Sequence, residues 1–535
     1  MNPSKNNFVG WDKLASSAGP PVFVGPPISL VVGRRGEAPL VPPYWFFAAL
    51  ITLVLGTSNG VTADEAFPTI PPETPSVELT LRPAAAPAPA LKYRFVRDLS
   101  ERKPGNAVPF YYRAIQLELE VRRNDKPETI EKWISWLEKK PHELPVAEVR
   151  AWLATRTQVL HELRTALGRE RCDWDLRFHD LPGRESISFL MSEIQESRAL
   201  ARILQLEVRL AIAEGRHADA VAAIRDGFQL ATDIDRALPS LIADLVGLSI
   251  ASVMRECVTD LIAADGSPNL YWALQTLPPQ MVDFSSSIDF ELDWPLRFLP
   301  FLRDAETAER SSEEWSRLLT EGLREVQEVD GPSRLPANEA SIANRLLATG
   351  LVLKNYPFAK RELLAAGFEA TRLERMPTAQ VVAIFAARCQ QHVRHELLKW
   401  IHVPYPEAHA GTERTMAQLI EDGYIGGSVG SPPQRDPLGI VSLLVPALTQ
   451  VRYAVVRGEQ SHAGLLVIEA IRLHMAENNG QLPRTLADIK AVPVPLNPAT
   501  GKAFPYRLAA DHAELYLPPA DGRVPQNGKR YVLRK

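Results

Sequence analysis

From Tyr93 to about Asn479, apolar residues return every three or four positions, the spacing of helices that each bury one face. Asn106 stands as an N-cap ahead of a helix over 107–123, and 129–139 and 146–167 carry the same period. Within 192–213, Leu200, Leu204, Val208 and Ala211 share one face. The stretch 238–264 is apolar nearly all round, which suits either the centre of a core or a membrane. Asp244 and Arg255 inside it favour the core.

After Asn479 the period changes. A long helix over 438–478, bent at Pro446, is closed by Asn479-Gly480, residues that tolerate a left-handed C-cap. Thr485 and Asp488 form an approximate capping box for a second, short helix. Pro493, Pro495 and Pro498 then force an extended run, and Phe504, Tyr506 and Leu508 alternate as one face of a strand. Leu515 and Leu517 suggest its hairpin partner, with a third strand at 531–533. The expected fold is therefore mainly α: a multi-helix body of packed helical hairpins with a small C-terminal α+β unit.

The chain divides by composition. Residues 1–63 hold Tyr44 to Leu55, a short uncharged apolar run with Arg34 and Arg35 before it and Val61-Thr62-Ala63 after it, the outline of a signal peptide. A retained membrane segment is the competing reading, but a spanning helix needs about 20 predominantly apolar residues, and GTSNGVT follows Leu55 too soon. Either reading puts the bulk of the chain outside the cytoplasm, in the periplasm or cell envelope, and cleavage would start the mature chain at Asp64. Fifteen of the 45 prolines lie in the first 90 residues, so 64–92 is expected to be a Pro/Ala-rich linker. The helical body then spans 93–436, the long helix and α+β unit 437–518, and a C-terminal tail or edge strand 519–535. Gly423 to Pro437, rich in Gly and Pro, marks the break inside this order.

Charge removes one class of function. The net charge of −4 over 535 residues becomes −6 once 1–63 are gone, which leaves no electrostatic footprint for nucleic acid. Cys172, Cys257 and Cys389 are too few and too far apart for a disulfide scaffold, so buried free thiols are expected, with one disulfide left open.

Two local strings and the mature chain as a whole resemble other proteins. Gly215 followed by Ala220 resembles one tetratricopeptide unit, where small residues let antiparallel helices approach. The string LLVIEAIRLHMAENNGQLPRTLADI with VPLNPATGKAFPYRL resembles the globular part of G-type type II secretion pseudopilins, over about Leu465 to Leu508. Asn497 stands where that pattern has Asp, and the apolar helix that would open a pseudopilin is not at the start of the module. The mature chain, with PGNAVPFYYRAIQLE, SPNLYWALQTLP and KWIHVPYPEA, resembles uncharacterised exported proteins of planctomycete-type bacteria.

Candidate chemistry is thin. Gly426 to Gly430 spell G-x-S-x-G around Ser428, but a helical pattern before it and Pro432-Pro433 after it do not make a nucleophile elbow. His142-Glu143, His161-Glu162 and His395-Glu396 lack the second histidine of a zincin. Cys389, His392 and Glu396 could share a helix face, as could His392 and His395, but neither set is a complete group of ligands. Asp173 and Asp175 around Trp174, and Glu291 and Asp293 beside Trp294, place paired acids next to an aromatic, as sugar-cleaving sites do, although a plugged helix junction explains them as well. No residue is assigned a catalytic, cofactor-binding or metal-binding role, and no cofactor is expected. The expected function is a non-enzymatic exported scaffold or interaction protein of the cell envelope, whose partners are envelope proteins or polymers. Membrane contact is expected only through the N-terminal segment, if that segment is not cleaved. An envelope-polymer hydrolase and an accessory to a secretion apparatus are the alternatives.

Overall fold

A computed structural model describes residues 67–176, 192–278, 280–328, 337–426, 435–438 and 445–535. The apolar run Tyr44 to Leu55 and the candidate Ser428 lie outside the described residues.

The described helices follow in chain order: α1 (Val108–Asn124), α2 (Pro127–Trp136), α3 (Val146–Ala154), α4 (Thr157–Leu167), α5 (Ser192–Ala213), α6 (His217–Asp235), α7 (Leu241–Ile262), α8 (Tyr271–Gln275), α9 (Phe284–Phe298), α10 (Ser312–Glu328), α11 (Ala337–Ala365), α12 (Ala370–Arg375), α13 (Thr378–Leu398), α14 (Tyr405–Glu421) and α15 (Val445–Glu477). The strands are β1 (Ser76–Thr80), β2 (Lys103–Asn106), β3 (Arg169–Arg171), β4 (Tyr506–Leu508), β5 (His512–Leu517) and β6 (Lys529–Arg534). The mainly helical expectation holds, with a small sheet at the C-terminal end.

α7 is the axis of the main core. It packs on α6, α5 and α15, and its apolar residues are buried on every side. Close contact with α6 depends on two glycines. A Cβ on Gly227 would stand 2.1 Å from Met254 Sδ, and one on Gly247 would stand 3.0 Å from the Ala231 carbonyl oxygen. The α5–α6 turn runs through Gly215 at φ 71°, where Arg216 N–H bonds back to the Ala211 carbonyl, a Schellman closure. A second core joins α9–α13, and a third lies between α7, α9, α13, α14 and α15.

Four expectations are corrected. The continuous helix over 146–167 is broken at Thr155-Arg156, because Arg156 turns inward to pair with Glu118 and Asp125 and to stack on Trp152 at 3.8 Å. The linker over 64–92 is not all tether: Ser76–Thr80 pairs in parallel with β6, and Leu79 and Leu81 are buried. The stretch 519–535 is not a tail or edge, since β6 lies inside the order β1-β6-β5-β4 with β1 on one side and β5 on the other. The α+β unit placed at 437–518 therefore draws one strand from before the helical body and one from beyond residue 518.

The long helix expected over 438–478 is shorter: Leu438 lies in a turn, and α15 begins at Val445 with Pro446 in its first turn, where a missing N–H costs nothing, rather than at a bend. The signals after it read as expected. Asn479 takes φ 53° and Gly480 N–H reaches the Met475 carbonyl at 2.8 Å, ending α15. Thr485 and Asp488 form the capping box of a single 3-10 turn, Leu486–Asp488. Phe504, Leu515 and Leu517 are buried beneath α15, whereas Leu508 is exposed at the strand end.

Candidate functional site

The acids and aromatics singled out in the sequence are mostly committed to packing. Trp174 plugs a junction as expected, stacked on Tyr111 with ring centroids 5.7 Å apart and edge-on to Tyr112 at 5.6 Å. Tyr111 donates a hydrogen bond to Asp233 at 2.5 Å, and burial pushes the pKa of both groups up. Asp173 and Asp175 do not face each other across a cleft: the Asp173 side chain accepts the Asp175 N–H in a local turn. Asp293 pairs with Arg297 and Arg303, and Trp294 stacks on Phe298.

The histidine pairs are dispersed. His142 and Glu143 are exposed on the 3-10 turn Pro141–Glu143, Glu162 pairs with Arg113, and Glu396 pairs with Lys399. His392 stacks against Tyr424 at 4.6 Å. Among the described residues no group of three His, Cys, Asp or Glu side chains is placed to hold a metal ion. All three cysteines are free, and burial raises their thiol pKa values, that of Cys389 to about 12.

Two clusters that the sequence reading did not assemble lie at the two ends of α7. At its N-terminal end, Asp235 from the end of α6, Asp244 from the first turn of α7, and Ser287 and Glu291 from α9 converge. Asp244 is fully buried and accepts the Ser287 hydroxyl at 2.8 Å; Asp235 accepts the Asp283 N–H at 3.3 Å, and Glu291 accepts the Leu241 N–H at 3.3 Å. Gly247 makes room for Asp235, whose Cβ would be 3.3 Å from any Cβ there. Desolvation, reinforced by Asp235, raises Asp244 to about 9; desolvation raises Asp235 to about 6 and Glu291 to about 7. One oxygen of each aspartate is buried without a donor, and the two side chains are within hydrogen-bonding reach of each other. A single proton on Asp244 satisfies both, as in a carboxyl pair that cannot ionise twice. The chemistry this permits is proton retention, because Asp244 has no surface at which to meet a substrate.

At the other end of α7, Arg255 is 8% exposed, and burial lowers its pKa only to about 10, so it stays charged. Its side chain makes no hydrogen bond or ion pair among the described residues. Gly458 and His462 approach it from α15: a Cβ on Gly458 would stand 3.3 Å from the Arg255 guanidinium. His462 Nδ1 is buried without a partner, and burial, then the charge of Arg255, lowers its pKa to about 4. Lys529 and Tyr531 come from β6 and bond to one another, and Lys529 and Arg255 act on each other as like charges. The sequence signal was Arg255 itself, an arginine within an otherwise apolar helix.

A different kind of surface lies on α11. One face, including Ala348, Val352, Ala359 and Leu363, is buried against α10 and α13. The opposite face is also apolar and open, with Ile342 60%, Leu346 69% and Leu353 64% exposed, continued by Leu364. Arg345, Lys354 and Arg361 flank this stripe and are exposed. Glu362 is the sole acid between Ile342 and Ala365, and it pairs with Arg435 at 3.3 Å and with Arg361 at 3.5 Å.

Comparison with protein-family models, with curated proteins and with solved structures finds no match.

Proposed function

We propose that this chain is an exported, non-enzymatic scaffold or interaction protein of the cell envelope, and that α11 is its contact surface. The observation that carries the reading is the helix itself: it is apolar on two opposite faces, yet only one is covered. A helix apolar all round is ordinarily buried. Leucines flanked by cations, with Glu362 the single acid in the stretch and held by Arg361 and Arg435, match a helix that lies in the interface of an anionic lipid layer. A second copy of the chain is a poorer occupant, since two such faces would bring Arg345, Lys354 and Arg361 against their own kind. No helix among the described residues is long and apolar enough to cross a membrane, which suits a protein resting on the surface through these residues. The acids that a hydrolase would need are, among the described residues, held in turns, ion pairs or the core.

The test is sedimentation of the full chain with vesicles of phosphatidylglycerol and phosphatidylcholine against vesicles of phosphatidylcholine alone. Wild type should sediment with the anionic vesicles, and less so as salt rises. The variant L346S/L353S, altered only at exposed positions, should stay folded and remain in the supernatant. Binding to neither vesicle, or equal binding by the variant, would sink the lipid reading. A salt-resistant dimer lost in L346S/L353S would show instead that a second copy covers the face.

A further inference from the structure

We infer that residues 342–349 of α11 form a flap hinged at Gly350, which leaves the body to lay Ile342, Leu346 and Leu347 in an anionic lipid layer while 351–365 stay in place. The inference rests on the lipid reading of α11 and adds how the helix reaches the lipid.

The two parts of α11 are held to the body very differently. In 342–349 the large apolar residues, Ile342, Leu346 and Leu347, are exposed, and the buried positions hold only Asn344 and Ala348. Past Gly350, Leu353 and Leu364 still face outward, but Val352, Ala359 and Leu363 are buried, and Phe358 stands edge-on to Phe385 at 5.5 Å. Lys360 and Glu362 are tied to Glu374 and Arg435 as well. From Ile342 to Thr349 no side chain makes a hydrogen bond or ion pair among the described residues. A segment with so little buried apolar surface belongs to the low-stability end of a fold and opens before the rest.

Gly350 stands at the boundary between the two parts. A Cβ there would meet no atom within 4 Å, so no close approach requires the glycine. Its cost inside a helix is not offset by a neighbour, and what it supplies is a weak point about which the helix can bend. Once detached, two turns are too short to remain helical in water. At the surface of an anionic layer they would form again, with the apolar side chains among the acyl chains and Arg345 at the headgroups.

The experiment follows amide exchange along the full chain, alone and with vesicles of phosphatidylglycerol and phosphatidylcholine. Alone, the amides of 342–349 should exchange about ten-fold faster or more than those of 355–365, with the step at Gly350. With the vesicles, 342–349 should become protected. Gly350→Ala meets no clash and favours the continuous helix, which makes the open form rarer. It should slow exchange over 342–349 about five-fold and weaken vesicle binding by a similar factor, leaving 355–365 unchanged. Even exchange along α11, or exchange and vesicle binding in Gly350→Ala equal to wild type, would overturn the hinge while the lipid surface stands. Fast exchange over 342–349 in a wild type that binds no vesicle would overturn the lipid destination instead.

Discussion

Asp244 shows how a single residue can couple this fold to pH. Burial and the neighbouring Asp235 raise its pKa to about 9, far above an ordinary aspartate, so between about pH 4 and pH 9 the folded chain holds a proton that the unfolded chain has released. When the native state binds more protons, stability falls as pH rises, and the loss stops above the folded pKa. Asp235 and Glu291, raised to about 6 and about 7, act in the same sense over narrower windows. One retained proton between pH 5 and pH 8 corresponds to at most about 4 kcal/mol. Asp244→Asn keeps the shape, and its amide can donate to Asp235. Urea unfolding should show wild type losing stability from pH 5 to pH 8 and the variant losing clearly less. Equal slopes would mean that Asp244 is ionised in the fold. The sequence placed Asp244 and Arg255 in the core, because a charged residue inside an apolar run has few other places to be. It did not show their neighbours on α9, α15 and β6, far away in the chain.

Arg472 marks where a periodic reading of an element reaches its limit. Taking Ile468, Ile471 and Met475 as the buried side of α15 leaves Arg472 and His474 outward, as expected for a helix covered on one face. The sheet does cover that face, but the loop after α7 covers the other, and Arg472 is fully buried. It pairs with Glu469 at 3.0 Å and donates to the Ser267 carbonyl at 2.9 Å and the Arg82 carbonyl at 3.1 Å. Asn269 closes the cluster by donating to Glu469 at 2.6 Å. Breaking such a pair leaves a buried charge unmatched, so Arg472→Ala should cost about 3 to 5 kcal/mol in denaturant unfolding. Phe504→Ala, which opens a cavity beneath the same helix, should cost a similar amount, about 3 to 5 kcal/mol. A change within experimental error for Arg472→Ala would show that the helix face is solvated after all. β1 was missed for a related reason. Val77 and Leu79 alternate with Ser76, Glu78 and Thr80, a strand pattern, but it is only five residues long and sits among prolines that dominate the local composition.

At the scale of the whole molecule, the C-terminal unit does not close on itself. Its β6 takes hydrogen bonds from β5 on one side and from β1, more than four hundred residues earlier, on the other. Arg472 and Glu469 find their remaining partners at Ser267 and Asn269. The glycine- and proline-rich break at 423–437 made the unit look separable, since local composition marks where a chain turns, not which distant strand it later meets. Cutting the chain after Asp436 tests this directly. The fragment 437–535 alone would expose the β6 edge and strand a buried guanidinium, and an unpaired, partly apolar edge favours aggregation over folding. Expressed by itself it should be insoluble, or lack a cooperative thermal transition by circular dichroism. Co-expressed with 67–436, which supplies β1 and the loop after α7, it should co-purify as a stable one-to-one complex that unfolds in a single transition. A soluble, monomeric 437–535 fragment with its own cooperative transition would show that the hairpin and α15 suffice. In that case β1 would be an accessory strand rather than the clasp that joins the beginning of the folded chain to its end.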